Sequence, residues 1–159
     1  MVAFIAVCSQ ISIVLPSGIP LTFQTFSVTL CGYMLGVKWG TIATSVYILI
    51  GIAGIPVFSS FSAGPYFFVG PTGGFILGFI PLCALCGVSV LKNKRHLNFL
   101  FSAAGFVIFY FLGTGWYSVI TKTPLILSFI SVTLPFIIKD ILCAFTAFFV
   151  AFKIKRKLC

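Results

Sequence analysis

Acidic side chains are all but missing from this chain: Asp140 is the one carboxylate among 159 residues, and His96 is the one imidazole. That scarcity excludes paired-carboxylate acid–base catalysis and a Ser-His-Asp triad, because neither set of groups can be assembled. A GxxxxGK[ST] phosphate loop is also absent, so energy for uphill work would have to come from another chain. Charge of either sign is scarce, at 7% of residues, while 60% are hydrophobic and the mean hydropathy is +1.24. A soluble domain of this size does not have that composition. These values describe an integral membrane protein, and with no catalytic apparatus in the sequence neither an enzyme nor a cofactor is expected. The formal charge of +9 would otherwise point to nucleic acid, but that needs basic residues gathered on one soluble face. Here they stand between and after the apolar runs. The chain opens as MVAFIAVCSQISIVL, with neither a charged n-region nor an A-x-A-like cleavage site. This reads as a first membrane helix, with room for a start further upstream.

Six cysteines are present, Cys8, Cys31, Cys83, Cys86, Cys143 and Cys159, and five lie inside apolar runs, where they read as small buried hydrophobes. Cys83 and Cys86 form a CxxC, but no second ligand pair completes a tetrahedral metal site. Packing is the expected role.

Apolar stretches run roughly over 1–15, 21–37, 39–54, 73–91, 97–117 and 134–152. They predict one membrane domain over 1–159 with six transmembrane helices. Several are shorter than the roughly 20 residues that span a bilayer core, so some helices are bent or incomplete. Pro16, Gly18 and Pro20 break the chain after the first run, and GVKWG (36–40) makes a tight turn between the second and third. Gly51, Gly54 and Pro56 close the third, and KNKRH (92–96) separates the fourth from the fifth. The short apolar stretch 124–133, bounded by Lys122 and Pro135, reads as an outer lid or re-entrant segment. With both termini cytoplasmic, the inner segments carry Lys38, Lys92, Lys94, Arg95, Lys153, Lys155, Arg156 and Lys157. The outer segments carry Lys122 and Lys139. Eight against two is a positive-inside bias.

Two outer loops, LPSGIPLTFQTF (15–26) and IPVFSSFSAGPYFFVGPTGG (55–74), mix aromatic residues with glycine. They either roof a ligand cavity or join helices at a tight interface, and composition alone permits both. Asp140 falls on the same side, in an oily segment where a lone carboxylate is costly without a partner or a ligand.

The run Pro16-Ser-Gly-Ile-Pro-Leu-Thr-Phe-Gln-Thr-Phe26, then Gly70-Pro-Thr-Gly-Gly-Phe75 with Gly78-Phe79, and finally Leu134-Pro-Phe136 with Asp140, resembles the BioY family. This is the biotin-binding component of energy-coupling factor (ECF) vitamin transporters, and the likeness covers nearly the whole chain in order. The resemblance implies a compact all-α six-helix S-component bundle in a bacterial-type inner membrane, with the vitamin near the extracytoplasmic side. It also implies a complex with a transmembrane coupling subunit and two ATPases. Under it, an ionised Asp140, an acceptor only, suits the two ureido N–H donors of biotin. Gln24, Thr22 and Thr72 serve the remaining polar atoms, Phe23, Tyr66, Phe67 and Trp116 line the apolar part, and Gly70 and Pro71 shape the loop. The bland alternatives are an interfacial belt for Trp116 and helix caps for the Thr and Gln residues. Asp140 is thus expected as a ligand acceptor more than as half of a structural ion pair.

One departure concerns the basic partner. The family pattern often has a lysine one turn after this aspartate, and Cys143 stands there. Adjacent helix positions do not face each other, so Lys139 need not pair with Asp140. It meets the biotin carboxylate or, the favoured reading, extends to the aqueous boundary. A stand-alone biotin carrier, with Asp140 as a proton-coupling group, is the alternative to an ATPase-driven subunit.

Overall fold

The apolar runs fold as helices, and glycine decides where the longest of them bends. The computed structural model describes residues 1–14, 19–91 and 95–158. Leu15, Pro16, Ser17, Gly18, Lys92, Asn93, Lys94 and Cys159, which figure in the sequence expectations, lie outside them. Helix α1 (Val2–Gln10) leads into two short strands, β1 (Ser12–Val14) and β2 (Pro20–Thr22), paired antiparallel with Ile13 opposite Leu21. Helix α2 (Gln24–Ile52) follows, then α3 (Pro65–Val69), α4 (Gly73–Leu91) and α5 (Arg95–Thr121). The chain closes with α6 (Leu125–Ser128), a π-helical turn (Phe129–Thr133) and α7 (Leu134–Leu158).

Among the described residues, three stretches are long and apolar enough to cross a membrane: Gln24–Ile52, Phe99–Thr121 and Leu125–Ile154, with Gly73–Val88 a shorter apolar helix. Within α2, Gly36 has φ 75° and ψ −175°, which splits the element into two helical halves. Only glycine takes that backbone geometry without steric cost. The tight turn expected at 36–40 is therefore a one-residue break at its first glycine. Counting the halves of α2 separately, and α6 with the π turn and α7 as one, and leaving aside the five-residue α3, gives six helical segments among the described residues in an all-α membrane fold.

Helix α4 lies against both halves of α2, α5 packs on the other side of α4, and α7 and α1 pack on α2. The α2–α4 contact is close because small residues line it. A Cβ added at Gly32 would sit 2.5 Å from the Cys83 carbonyl oxygen and 3.0 Å from Cys86 Cβ. Cys31, Cys83 and Cys86 are all buried there, as packing residues between the two helices. Aromatic rings fill the centre: Phe79 of α4 stacks on Phe109 of α5 (centroids 5.3 Å apart), Phe75 meets Phe109 edge-on (5.4 Å), and Phe75 stacks on Phe136 of α7.

Several expectations are corrected. The first helix stops at Gln10 and not at 15, because Ile11 turns extended and the β-branched Ile13 and Val14 pair with β2. That same strand delays the start of the second helix from 21 to Gln24. The stretch 124–133 is no lid: it is the first part of the last membrane helix, carried into α7 through the π turn without a break. Pro124, with ψ 141°, caps its start, and Pro135 falls directly after the π turn, where the hydrogen-bond ladder is already irregular. The last two helices also run further than expected, α5 to Thr121 and α7 to Leu158.

Candidate functional site

A small cavity opens at the end of the bundle where α4 and α7 begin. Its walls are aromatic (Phe58, Phe67, Phe75, Phe79, Phe109 and Phe136), and its polar rim is Thr22, Gln24, Thr25, Thr72 and Lys139. The start of α2 supplies one side of that rim. Thr22 Oγ1 donates to Gln24 Oε1 (2.9 Å), and Gln24 Nε2 donates to the Tyr47 hydroxyl (2.6 Å). Tyr47 in turn donates to the Val57 carbonyl (3.0 Å), in the segment joining α2 to α3. The polar wall of the cavity is thus wired by hydrogen bonds to that segment. The end of α1 holds it from the other side: Ser9 Oγ lies 2.6 Å from the Val57 carbonyl, and Gln10 bonds both the Phe58 carbonyl (3.1 Å) and the Phe61 N–H (2.9 Å).

The start of α7 supplies the charge. Lys139 turns inward, 14% exposed, and its Nζ contacts the Thr22 carbonyl (2.6 Å), Thr25 Oγ1 (2.9 Å) and Asp140 Oδ1 (2.7 Å). It also lies 5.4 Å from the Phe136 ring centroid, within reach of a cation–π attraction. The aqueous-boundary reading of Lys139 is corrected, as is the expectation that it need not pair with Asp140. Its long stem lets the ammonium return to the carboxylate of the next residue, although the two Cβ atoms diverge.

Asp140 is buried, at 1% exposure, and is absent from the cavity wall. Its Oδ1 accepts from Thr25 Oγ1 (2.6 Å) as well as from Lys139, and its Oδ2 accepts from Tyr110 (2.8 Å). Both oxygens are engaged, which is what a buried carboxylate requires. In this structure Asp140 is half of an ion pair, the role the sequence reading ranked second, and Cys143 is buried beside it without taking the place of a cation.

Of the other residues singled out, Thr22, Gln24, Thr72 and Phe67 line the cavity and Phe23, Tyr66, Gly70, Pro71 and Trp116 do not. Phe23 is exposed, and Tyr66 is 78% exposed at the start of α3, pointing away from the cavity. Trp116 Nε1 donates to the Gly70 carbonyl (2.9 Å) and so fixes the turn that presents Thr72, whose hydroxyl donates to Phe67 O (2.9 Å). Thr25, Tyr47 and Tyr110 were not anticipated. Thr25 adjoins Gln24 in the polar stretch TFQT, a signal that was available; Tyr110 sits in the apolar run FVIFYFLG, which offers none.

The cavity measures about 50 Å³, whereas small-molecule sites enclose upwards of about 300 Å³. A ligand of vitamin size therefore enters only if its walls give way. The segment between α2 and α4 is anchored in the core by Phe58 and held besides by the Ser9, Gln10 and Tyr47 hydrogen bonds, which makes those bonds the contacts that opening this wall would break.

The sequence profile of the BioY family matches residues 1–159. The chain belongs to the BioY family. Among BioY relatives, the biotin transporter BioY of Thermotoga maritima is 43% identical over 113 residues, covering 70% of this chain and 66% of the relative. The probable biotin transporter BioY of Pyrococcus horikoshii is 36% identical over 150 residues, covering 94% of this chain and 88% of the relative. The fold is that of a crystal structure described as the S-component for biotin from an ECF-type ABC transporter. Its TM-score is 0.86 at 24% identity, over 98% of this chain and 86% of that one. This BioY chain is accordingly a multi-pass membrane protein of a transporter family and not an enzyme.

Proposed function

We propose that this chain is a high-affinity biotin-binding subunit for biotin uptake, driven by ATP hydrolysis on partner subunits. One observation carries the reading: an aromatic cavity closed on one side by Lys139, which Asp140 and Thr25 hold in place. Biotin has a compact, cis-fused bicyclic ring system and an apolar valeryl chain for the Phe walls, and oxygens at both ends for an ammonium donor. Lys139 gives up its contact with the Thr22 carbonyl and donates to a biotin oxygen, Gln24 and Thr72 complete the polar contacts, and Asp140 acts behind Lys139. In the family-derived version Asp140 meets the ureido group directly. Its engaged oxygens favour the indirect role. Gly70, Pro71 and Trp116 act on the shape of the loop, and Phe23 and Tyr66 join the site only if that loop folds inward.

In sequence, eight of the ten Lys and Arg residues fall in the segments that the six-helix reading assigns to the inner side, which supports a cytoplasmic position for both termini and an outward-facing cavity in the cell membrane. The chain has no nucleotide-binding loop, so the proposed energy source is an ECF coupling subunit with two ATPases. Equilibrium binding to the purified protein tests the substrate: biotin should bind at least a hundredfold tighter than thiamine or riboflavin, and equal affinities would sink the proposal. Expression in a host lacking ECF modules tests the coupling. Binding without accumulation is expected, and proton-dependent accumulation would establish a stand-alone carrier instead.

A further inference from the structure

The segment from Ala53 to Thr72 carries one large buried side chain, Phe58, which is 2% exposed; Ser59 beside it is the other buried residue there. Phe58 lines the cavity, yet it does not stand on a long helix as Phe75, Phe79, Phe109 and Phe136 do. What holds it is a seat on α2. Gly51, in the last turn of that helix, lies directly against the ring, and a Cβ added at Gly51 would fall on the ring atoms themselves. The Tyr47 ring meets Phe58 edge-on, with centroids 5.7 Å apart at 85°. Tyr47 and Gly51 are one turn apart and share a face of the helix.

The backbone around the ring is fixed as well. The Val57 carbonyl accepts from Ser9 and Tyr47, the Phe58 carbonyl accepts from Gln10 Nε2 (3.1 Å), and the Phe58 N–H donates to the Ser62 carbonyl (3.0 Å). The Gly64 N–H donates to the Gly51 carbonyl (2.8 Å), so the loop that bears the ring closes on the residue that seats it. A segment that swings out to admit a ligand brings the ring back to this one place. With helix backbone behind it, the ring cannot retreat from whatever fills the cavity, and the half-buried Phe67 of α3 is left to yield instead. A wall fixed in this way discriminates by shape, because a ligand that leaves it bare loses contacts that no rearrangement restores.

Resting on the biotin reading above, we propose that Phe58 is a specificity-determining residue of the site: its ring packs on the bicyclic ring system of biotin, and Gly51 is the positioning residue behind it.

The test is equilibrium binding, to the purified full chain, of biotin and of desthiobiotin, in which the sulfur is absent and the second ring is open. The unaltered protein should prefer biotin by about tenfold or more. In Phe58→Ala and Phe58→Leu the preference should drop to about threefold or less, since biotin loses the contact and desthiobiotin has little of it to lose. If Phe58→Ala fails to fold by circular dichroism, Phe58→Leu decides. A ring that only anchors its loop would weaken both ligands alike when altered, and a preference left intact in this way would overturn the proposal. So would an unaltered chain that binds both ligands equally. Gly51→Ala should lower biotin affinity about tenfold, but cost about threefold or less once Phe58→Ala is present, because the added methyl then meets no ring. An undiminished cost in that background would remove Gly51 from its role. An unaltered chain that binds neither ligand would instead overturn the biotin reading itself.

Discussion

Lys139 and Asp140 are consecutive on one helix and yet form an ion pair, Nζ to Oδ1 2.7 Å, at the wall of the aromatic cavity. Side chains one position apart diverge by about 100° on an α-helix. The pair closes because the lysine stem folds back and Thr25 of α2 bridges both groups, accepting from Lys139 and donating to Asp140. Two helices distant in sequence are thus fastened at one polar point.

Removing one member should leave the other buried and uncompensated. Asp140→Ala is expected to destabilise the protein by about 3 kcal/mol, and Lys139→Met/Asp140→Asn together by less than Asp140→Ala alone. Detergent-solubilised thermal unfolding measures this. Biotin affinity should fall at least tenfold in Lys139→Met, Asp140→Asn and the double variant alike. A double variant that regained both stability and affinity would remove Lys139 from the binding role.

Tyr47→Phe cuts the chain of hydrogen bonds from Thr22 through Gln24 to Val57. The lost bonds are expected to cost about 1 kcal/mol, and biotin should dissociate severalfold faster because one tether of the α2–α3 segment is gone. Stopped-flow fluorescence of the tryptophans reads both rate constants; unchanged dissociation would separate that segment from ligand retention.

Gln10→Ala frees the same segment from the end of α1. Association should speed up along with dissociation, leaving the equilibrium constant within about threefold, since the tether opposes opening of the wall and Gln10 itself does not line the cavity.

Gly32→Leu forces a side chain onto the Cys83 carbonyl and Cys86. Overpacking of this kind costs about 1–3 kcal/mol or more, and here both partners are helix backbone or buried thiol. A loss of folded protein in detergent is expected, while Gly115→Ala, where a Cβ meets open space, should be tolerated.

Hydropathy and punctuation were enough to find the helical segments, because long apolar runs with Gly and Pro between them leave few alternatives in a membrane. They were least informative where two structures compete for the same residue types. Ile11 to Val14 is as apolar as α1, and only pairing with Pro20–Thr22 makes it a strand. The run 124–133 looked like a separate segment because Pro135 usually ends a helix, whereas here it sits one residue into the α-helix that resumes after the π turn. In the site, the sequence singled out Lys139 and Asp140 as a rare charged neighbourhood. Their order, lysine toward the cavity and aspartate behind, depends on Thr25 and Tyr110 arriving from α2 and α5, and no local pattern encodes that.

The π turn at Phe129–Thr133 fixes more than continuity. It accommodates one residue beyond an ordinary helical turn, so it sets the angular phase of everything after it against everything before it. Upstream, Ser128 is bonded to Thr123 near the end of α5, and Thr133 meets Thr114. Downstream, Lys139 must face the cavity. Deleting one residue between these anchors would turn α7 by about 100° and aim the ammonium at lipid. The spacing from Ser128 to Lys139 is therefore a property the chain cannot vary, even where the side chains in between are interchangeable.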